Sequence, residues 1–291
     1  MKQMKKWLAL MLALVLTLAL AVPAFAVEVT WDTMSKGNSV LAKQDAYTPE
    51  TAQKALDAFQ AFQDTAEGSK EEKAAYDAFK AAIKGLEFKA HSFTDAPSSW
   101  YDKALNYVGA TGKMNGVGQG RFDPQGTMTR AMAVTVLWRV NGSPAPKSSA
   151  GFTDVPAGQW YSDAIAWAVE NKITNGKTAS TFDPNSSVTR EQMATFFSRM
   201  MIAKITDNDL IKQLQSVPDA QWRILLRGQY KDANQISEYA LMHIGICLKS
   251  GVMKGNADGT FAPQANITRA QGAQMLLNYY DFLISESFRK V

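Results

Sequence analysis

Residues 182–190 read FDPNSSVTR, and the same nine-residue phrase occurs twice more, as FDPQGTMTR over residues 122–130 and FAPQANITR over residues 261–269. Every copy begins with Phe and ends with Thr-Arg. The final arginines are 60 and 79 residues apart along the chain. Such internal self-similarity is the signature of a repeat architecture, so the chain is best analysed as three units.

Three other positions keep step with the phrase. A glycine stands six residues before the Phe, an aromatic residue stands 16 residues before the glycine, and an Asp lies five to seven residues before the aromatic. The glycines are Gly116, Gly176 and Gly255, the aromatics are Trp100, Trp160 and Tyr239, and the acidic residues are Asp95, Asp154 and Asp232.

The residues that follow each Thr predict a helix. Positions four, seven, eight and eleven residues after the Thr lie on one helical face, and in the second unit they are Met193, Phe196, Phe197 and Met200. We therefore expect each unit to have a helix that begins near its aromatic residue, a Gly/Asp/Pro loop, and a second helix that begins at the Thr. One such unit cannot bury its apolar face alone, whereas three together can.

The Thr-Arg pair has two interpretations. Thr129, Thr189 and Thr268 suit helix N-caps, and Gln192 and Gln271 can complete capping boxes. The arginines that follow, Arg130, Arg190 and Arg269, occupy the first helical position, where the helix dipole disfavours a cation. Beside the free amides of a first turn, a guanidinium can bind a carboxylate. On this reasoning, replacing Arg190 by alanine should weaken ligand binding and barely change stability.

The aromatic residues favour a sugar as the ligand. Apolar C–H faces of sugar rings stack on Trp or Tyr, and a glycine permits close approach of the backbone. An acidic sugar would satisfy the arginine, the aromatic and the glycine together. The alternative is structural, with each Arg paired to the Asp of its own unit and each Trp in the core.

These landmarks resemble S-layer homology repeats, whose usual pattern is Phe-x-Asp, Trp, Gly-x-x-x-Gly, Gly-x-Phe-x-Pro and Thr-Arg-Ala-Glu. The resemblance covers about residues 93–140, 152–201 and 230–283. It implies a mainly α fold in which three repeats form a pseudo-threefold spindle around a central three-helix bundle. It also implies binding of a secondary cell-wall polysaccharide, commonly through pyruvylated N-acetylmannosamine.

The resemblance assigns candidate ligand-binding residues position by position. They are Arg130, Arg190, Arg269, Trp100, Trp160, Tyr239, Gly116, Gly176, Gly255, Asp95, Asp154 and Asp232. The chain departs from the pattern because Met132, Gln192 and Gln271 replace the Glu. The third unit also has Tyr239 for Trp and Ala262 for Asp, so its groove departs furthest from the pattern.

The rest of the chain is divided by composition. Residues 1–26 carry lysines, an apolar run and Ala-Phe-Ala, which predicts a secretory signal peptide. Residues 27–90 are expected to form a lead-in and a helical hairpin whose second helix has a capping box at Ser69, and residues 203–229 an inserted helical segment. The repeats are assigned to residues 91–142, 151–202 and 230–284.

We expect an exported, non-enzymatic protein that attaches to the cell wall or cell surface and has no membrane span once its signal is removed. An alternative is a structural S-layer or accessory surface protein that assembles with other surface-layer proteins through its N-terminal helices. Nearly balanced charge in the mature chain argues against nucleic acid as a partner. His91, His243 and Cys247 form no catalytic or metal-ligand pattern, so we expect no cofactor, no metal and no wall-degrading activity.

Overall fold

The computed structural model describes residues 45–65, 70–205 and 208–287. The predicted signal peptide, most of the lead-in and the capping box expected at Ser69 lie outside these ranges. The helices are α1 (Pro49–Gln63), α2 (Lys70–Lys84), α3 (Asp102–Ala110), α4 (Arg130–Val140), α5 (Ser162–Glu170), α6 (Arg190–Ile202), α7 (Asn208–Ser216), α8 (Asp219–Arg227), α9 (Leu241–Lys249) and α10 (Arg269–Ser287). The fold is mainly helical, as expected. In the described part of the chain, no helix combines the length and apolar character needed to cross a bilayer.

Two helices come from each unit: α3 and α4 from the first, α5 and α6 from the second, and α9 and α10 from the third. The first helix of each pair begins two residues after the aromatic landmark, and the second begins at the arginine.

The second helices begin with side-chain caps. The Thr189 hydroxyl accepts from the amide of Gln192, whose side chain accepts from the amide of Thr189. Thr268 and Gln271 make the same two bonds, while Thr129 caps α4 without a return bond. Each threonine hydroxyl thus caps the second helix of its unit.

Packing between units follows a closed cyclic order. Helix α5 of the second unit packs against α4 of the first, α9 of the third against α6 of the second, and α3 of the first against α10 of the third. The backbone closes the same cycle: Met128 N–H donates to Ile267 (3.0 Å), Ile267 to Val188 (3.0 Å), and Val188 to Met128 (2.9 Å). Each unit therefore packs its first helix against the second helix of the preceding unit in the cycle. The spindle shape itself stays a prediction of the resemblance.

The apolar faces predicted for the second helices lie in this shared core. Leu137, Phe197 and Leu276 are fully buried and come one from each unit. Gly272 of α10 lies so close to the Met128 side chain of the first unit that a Cβ there would collide with it. A small residue at this point lets the first and third units approach each other.

The N-terminal hairpin has a small core of its own and packs against the ring of units. Helices α1 and α2 pack together around Phe59 and Phe79, whose ring centroids are 5.1 Å apart. The Tyr47 hydroxyl lies 3.1 Å from the Tyr280 hydroxyl of α10, and the Phe88 ring packs against both Tyr280 and Tyr107. The hairpin thus contacts the first and third units through aromatic side chains.

The segment between the second and third units contains α7 and α8. Helix α8 packs on α9, and its Trp222 is almost fully buried. A Cβ at Gly245 would lie 2.6 Å from the Trp222 ring, so the glycine makes room for the indole. Helix α8 of the insertion is therefore packed closely against the first helix of the third unit.

Candidate functional site: the junctions between units

Each arginine of the Thr-Arg pairs reaches into the next unit of the ring. Its Nε donates to the backbone carbonyl of the Phe that opens the next unit's phrase: Arg130 to Phe182 (2.9 Å), Arg190 to Phe261 (2.8 Å), and Arg269 to Phe122 (2.7 Å). The guanidinium also lies over the ring of that Phe, with its carbon 4.6 to 4.9 Å from the centroid. The arginines therefore hold neighbouring units together.

Two of the arginines make a second bond of this kind. Arg190 donates through Nη2 to the Lys254 carbonyl at 2.9 Å, and Arg269 donates to the Asn115 carbonyl at 2.7 Å. All three side chains are buried, and burial lowers the pKa of each guanidinium below its ordinary value, although arginine stays protonated at neutral pH. The structural alternative was wrong about the partner, because the arginines bond to the next unit's backbone and not to their own Asp.

The acidic landmarks fasten the loop of their own unit. The Asp154 carboxylate accepts the amides of Phe182 at 2.8 Å and Asp183 at 2.7 Å. Asp95 and Asp232 accept the two matching amides in the first and third units. At Asp95, desolvation raises the pKa, but these amides and the Arg121 guanidinium outweigh it, so the pKa is lowered overall. The Asp thus positions the Phe carbonyl that accepts the hydrogen bond from the arginine.

The residue after each Phe has a left-handed backbone. The φ angle is +58° at Asp123, +61° at Asp183 and +54° at Ala262. Asp tolerates this conformation better than Ala, because its side chain can bond locally. Ala262 is therefore a strained departure from the repeat.

Replacing Ala262 by glycine is expected to stabilise the protein by about 1 kcal/mol, because glycine adopts positive φ without a Cβ clash. Denaturant unfolding of the two proteins measures the change. Ala265→Gly, in the same loop but outside the positive-φ set, is the control and should be neutral or destabilising. A loss of stability in Ala262→Gly would contradict the strain.

The landmark glycines accommodate an aromatic ring of their own unit. Gly176 has φ +86°, and a Cβ on it would lie 2.6 Å from the Phe152 ring. At Gly116 and Gly255 the corresponding rings are Phe93 and Tyr230. These contacts give the glycines a packing role, and close approach to a ligand stays a prediction.

The landmark aromatics, in contrast, lie on the surface. Trp100 is 61% exposed, Trp160 57% and Tyr239 48%, against the expectation of the structural alternative that the tryptophans are core residues. Tyr239 differs from the tryptophans because its hydroxyl donates to the Glu191 carboxylate at 2.9 Å. These three rings are therefore accessible to an external ligand.

The residues considered for catalysis are embedded in the core or its edge. His243 is buried, its Nδ1 lies 3.0 Å from the Ser198 hydroxyl, and burial with the nearby Arg199 charge lowers its pKa to about 4. Cys247 is fully buried, which raises the pKa of its thiol. His91 Nδ1 accepts the Phe93 amide. Within the described ranges, no three His, Cys, Asp or Glu side chains are grouped to hold a metal ion.

The profile of the S-layer homology domain matches this sequence three times, at residues 92–133, 151–194 and 229–273. The chain carries three S-layer homology domains. Each match begins before the Asp landmark and ends within the second helix, so it contains the arginine, the loop and the aromatic of its unit.

Several curated proteins are similar to part of this chain. An S-layer protein of Bacillus licheniformis is 30% identical over 54% of this chain and 15% of its own length. An endoglucanase of Bacillus sp. strain KSM-635 is 30% identical over 64% of this chain and 18% of the enzyme. A cellulosome-anchoring protein of Acetivibrio thermocellus is 28% identical over 58% of this chain and 36% of that protein. The chain therefore spans well under half of each relative.

Proposed function

We propose that this chain is a non-enzymatic anchor that attaches to the cell wall by binding an acidic, pyruvylated secondary polysaccharide at the junctions between its three units. The S-layer homology domains and the S-layer relatives support an anchoring role at the cell surface or cell wall. The observation that carries the choice of ligand is the exposure of Trp100, Trp160 and Tyr239. Exposed aromatic faces, together with buried arginines at the junctions, suit a sugar ring that bears a carboxylate.

The arginines contribute to this function in two ways. Their Nε atoms are committed to the neighbouring unit, so they fix the geometry of each junction. Their positive charge remains, and it acts on any anion that approaches the aromatic ring. The arginine thus supplies both a fixed scaffold and a favourable field, while the aromatic supplies the contact surface.

The endoglucanase relative does not change the proposal of a non-enzymatic protein. The match covers 18% of the enzyme, so most of the enzyme has no counterpart in this chain. In the present chain, the buried His243 and Cys247 lack access to a substrate. We therefore assign the shared segment to attachment and not to hydrolysis.

The mature protein is expected to sediment with purified wall sacculi and to stay in solution once the secondary polysaccharide has been extracted chemically. Trp100→Ala/Trp160→Ala should weaken retention at least tenfold, about 1.4 kcal/mol, without loss of thermal stability, since both indoles are exposed. Co-sedimentation and circular dichroism measure the two effects.

Ile224→Ala is the matched control, because Ile224 is an exposed apolar residue of α8 outside the repeat landmarks. It should bind sacculi as the parent protein does. Retention on extracted sacculi would point to peptidoglycan as the ligand and would contradict the proposal.

A second function, assembly with other surface-layer proteins, is favoured by one observation at the hairpin. A cleft of about 590 Å³ lies between the hairpin and α10, with Leu86, Lys103 and Asp281 among its lining residues. Burial raises the pKa of Asp281 against the opposing charge of Lys103. Light scattering of the mature protein with and without residues 27–90 would show whether the hairpin drives assembly.

A further inference from the structure

The position that follows Thr-Arg differs among the three units. It is Ala131 in the first, Glu191 in the second and Ala270 in the third. Glu191 is only 3% exposed. Its carboxylate accepts from the Ser237 amide at 3.0 Å, the Ser237 hydroxyl at 2.8 Å and the Tyr239 hydroxyl at 2.9 Å. All three partners are neutral groups, so none of them cancels the carboxylate charge.

Glu191 lies in a junction to which all three units contribute, here called the Tyr239 junction. Arg130 comes from the first unit, Asp183 and Glu191 from the second, and Tyr239 from the third. Burial and the Glu191 charge raise the pKa of Tyr239, while Arg130 and Arg199 oppose the shift. The pKa of Arg130 is lowered by burial, against the charges of Asp183 and Asp154. The phenol therefore stays protonated and donates to Glu191.

The cyclic packing defines two matching junctions. The Trp160 junction contains Arg269, the loop at Asp123, Ala131 and Trp160, because Arg269 lies on Phe122 and α5 packs on α4. The Trp100 junction contains Arg190, the loop at Ala262, Ala270 and Trp100, because Arg190 lies on Phe261 and α3 packs on α10.

The three junctions carry different numbers of carboxylates at matched positions. Each has one Asp that holds its loop: Asp154, Asp95 or Asp232. The Tyr239 junction adds Asp183 and Glu191, the Trp160 junction adds Asp123, and the Trp100 junction adds neither because Ala262 and Ala270 replace them. The number of carboxylates therefore falls from three at the Tyr239 junction to two at the Trp160 junction and one at the Trp100 junction. Lys177 pairs with Asp183, so Glu191 is the carboxylate that distinguishes the Tyr239 junction.

We propose that an acidic sugar binds at the Trp100 and Trp160 junctions and that Glu191 excludes it from the Tyr239 junction. The inference rests on the proposed function and adds to it a residue that determines specificity. A buried carboxylate beside the binding ring repels the carboxylate of the ligand, and such an unfavourable contact is an effective means of discrimination. Glu191 also binds the Tyr239 hydroxyl, which removes that group from sugar recognition.

The two substitutions that set the third unit apart, Tyr239 for Trp and Ala262 for Asp, therefore have opposite effects on anion binding. Tyr239 belongs to the junction that rejects an anion, whereas Ala262 belongs to the junction that accepts it most readily. The backbone at Ala262 is left-handed and strained, and the alanine lacks the negative charge that Asp carries at this position in the other two units.

The test is a calorimetric titration of the full mature chain at pH 7 with a pyruvylated N-acetylmannosamine monosaccharide, which avoids the avidity of a polymer. The parent protein is expected to bind two molecules, and a third at least tenfold more weakly. Glu191→Ala, which restores the residue of the other two units, should bring the third site to within about threefold of the others. Glu191→Gln should do the same, because it keeps the shape and removes the charge. If Glu191→Ala fails to fold by circular dichroism, Glu191→Gln carries the test.

Single replacements locate the sites. Trp160→Ala and Trp100→Ala should each remove one of the two strong sites. Three equal sites in the parent protein, or an unchanged count of two in a folded Glu191→Gln protein, would overturn the inference and leave the proposed function standing. No binding of the monosaccharide at any junction, together with no binding of the extracted polysaccharide, would overturn the proposed function and the inference with it.

Discussion

Arg190→Ala is expected to lower the free energy of unfolding by about 3 kcal/mol. The guanidinium donates to the carbonyls of Phe261 and Lys254 and lies over the Phe261 ring. Removing it leaves buried carbonyls without a partner, at about 1–3 kcal/mol each, and removes a cation–π contact of about 0.5–2 kcal/mol. The relief of an unfavourable helix dipole, a few tenths of a kcal/mol, is much smaller. Urea unfolding of the variant and the parent measures the difference.

Arg227→Ala is the control for this measurement. Arg227 is an exposed residue of α8 that bonds to the Asn234 side chain, so its loss should change stability by less than about 0.5 kcal/mol. An Arg190→Ala protein as stable as the Arg227→Ala protein would show that the contacts between units contribute little.

This expectation reverses the one that the sequence supports. From sequence, the Arg at the first helical position is unfavourable for the helix, which favours an external anion as its partner. The structure shows an internal acceptor, the carbonyl of the Phe that opens the next unit's phrase. A signal for this partner was present, because every Thr-Arg is accompanied by such a Phe, but a carbonyl has no residue type and leaves no mark in a sequence.

The local structure was predictable for physical reasons that act within a few residues. Thr189 and Gln192 cap α6 through contacts three residues apart, and the apolar spacing at Phe196 and Phe197 places both rings in the core. The order of the units was not predictable. Since the three phrases are nearly identical, helix α5 could pack on α4 or on its own α6, and only the structure shows the closed exchange between neighbours.

The ligand-binding role of the candidate site stays a prediction. The exposure of Trp100 and Trp160 agrees with a role in ligand contact, and their proximity to the start of a neighbouring unit's helix follows from the cyclic packing. Glu191 was missed because Gln192, one residue later, occupies the position of the family's Glu. In the structure, the Glu191 carboxylate accepts from the Tyr239 hydroxyl, a bond found at one junction of three.

The cyclic exchange also determines how the repeats fold. In the second unit, α5 packs against α4 of the first unit and α6 packs against α9 of the third. Arg190 donates to the third unit, and Phe182 receives Arg130 of the first. A peptide limited to the second unit would lose all of these contacts, and about 50 residues bury too little apolar surface to compensate.

The most direct measurement is therefore the thermal unfolding of residues 152–201 alone, followed by far-UV circular dichroism beside the full mature chain. Our account predicts weak helical signal and no cooperative transition for the fragment, while the full chain gives a sharp transition. A sharp transition in the isolated fragment would show that each unit folds on its own, and would contradict the claim that the three units form one ring with binding junctions between them.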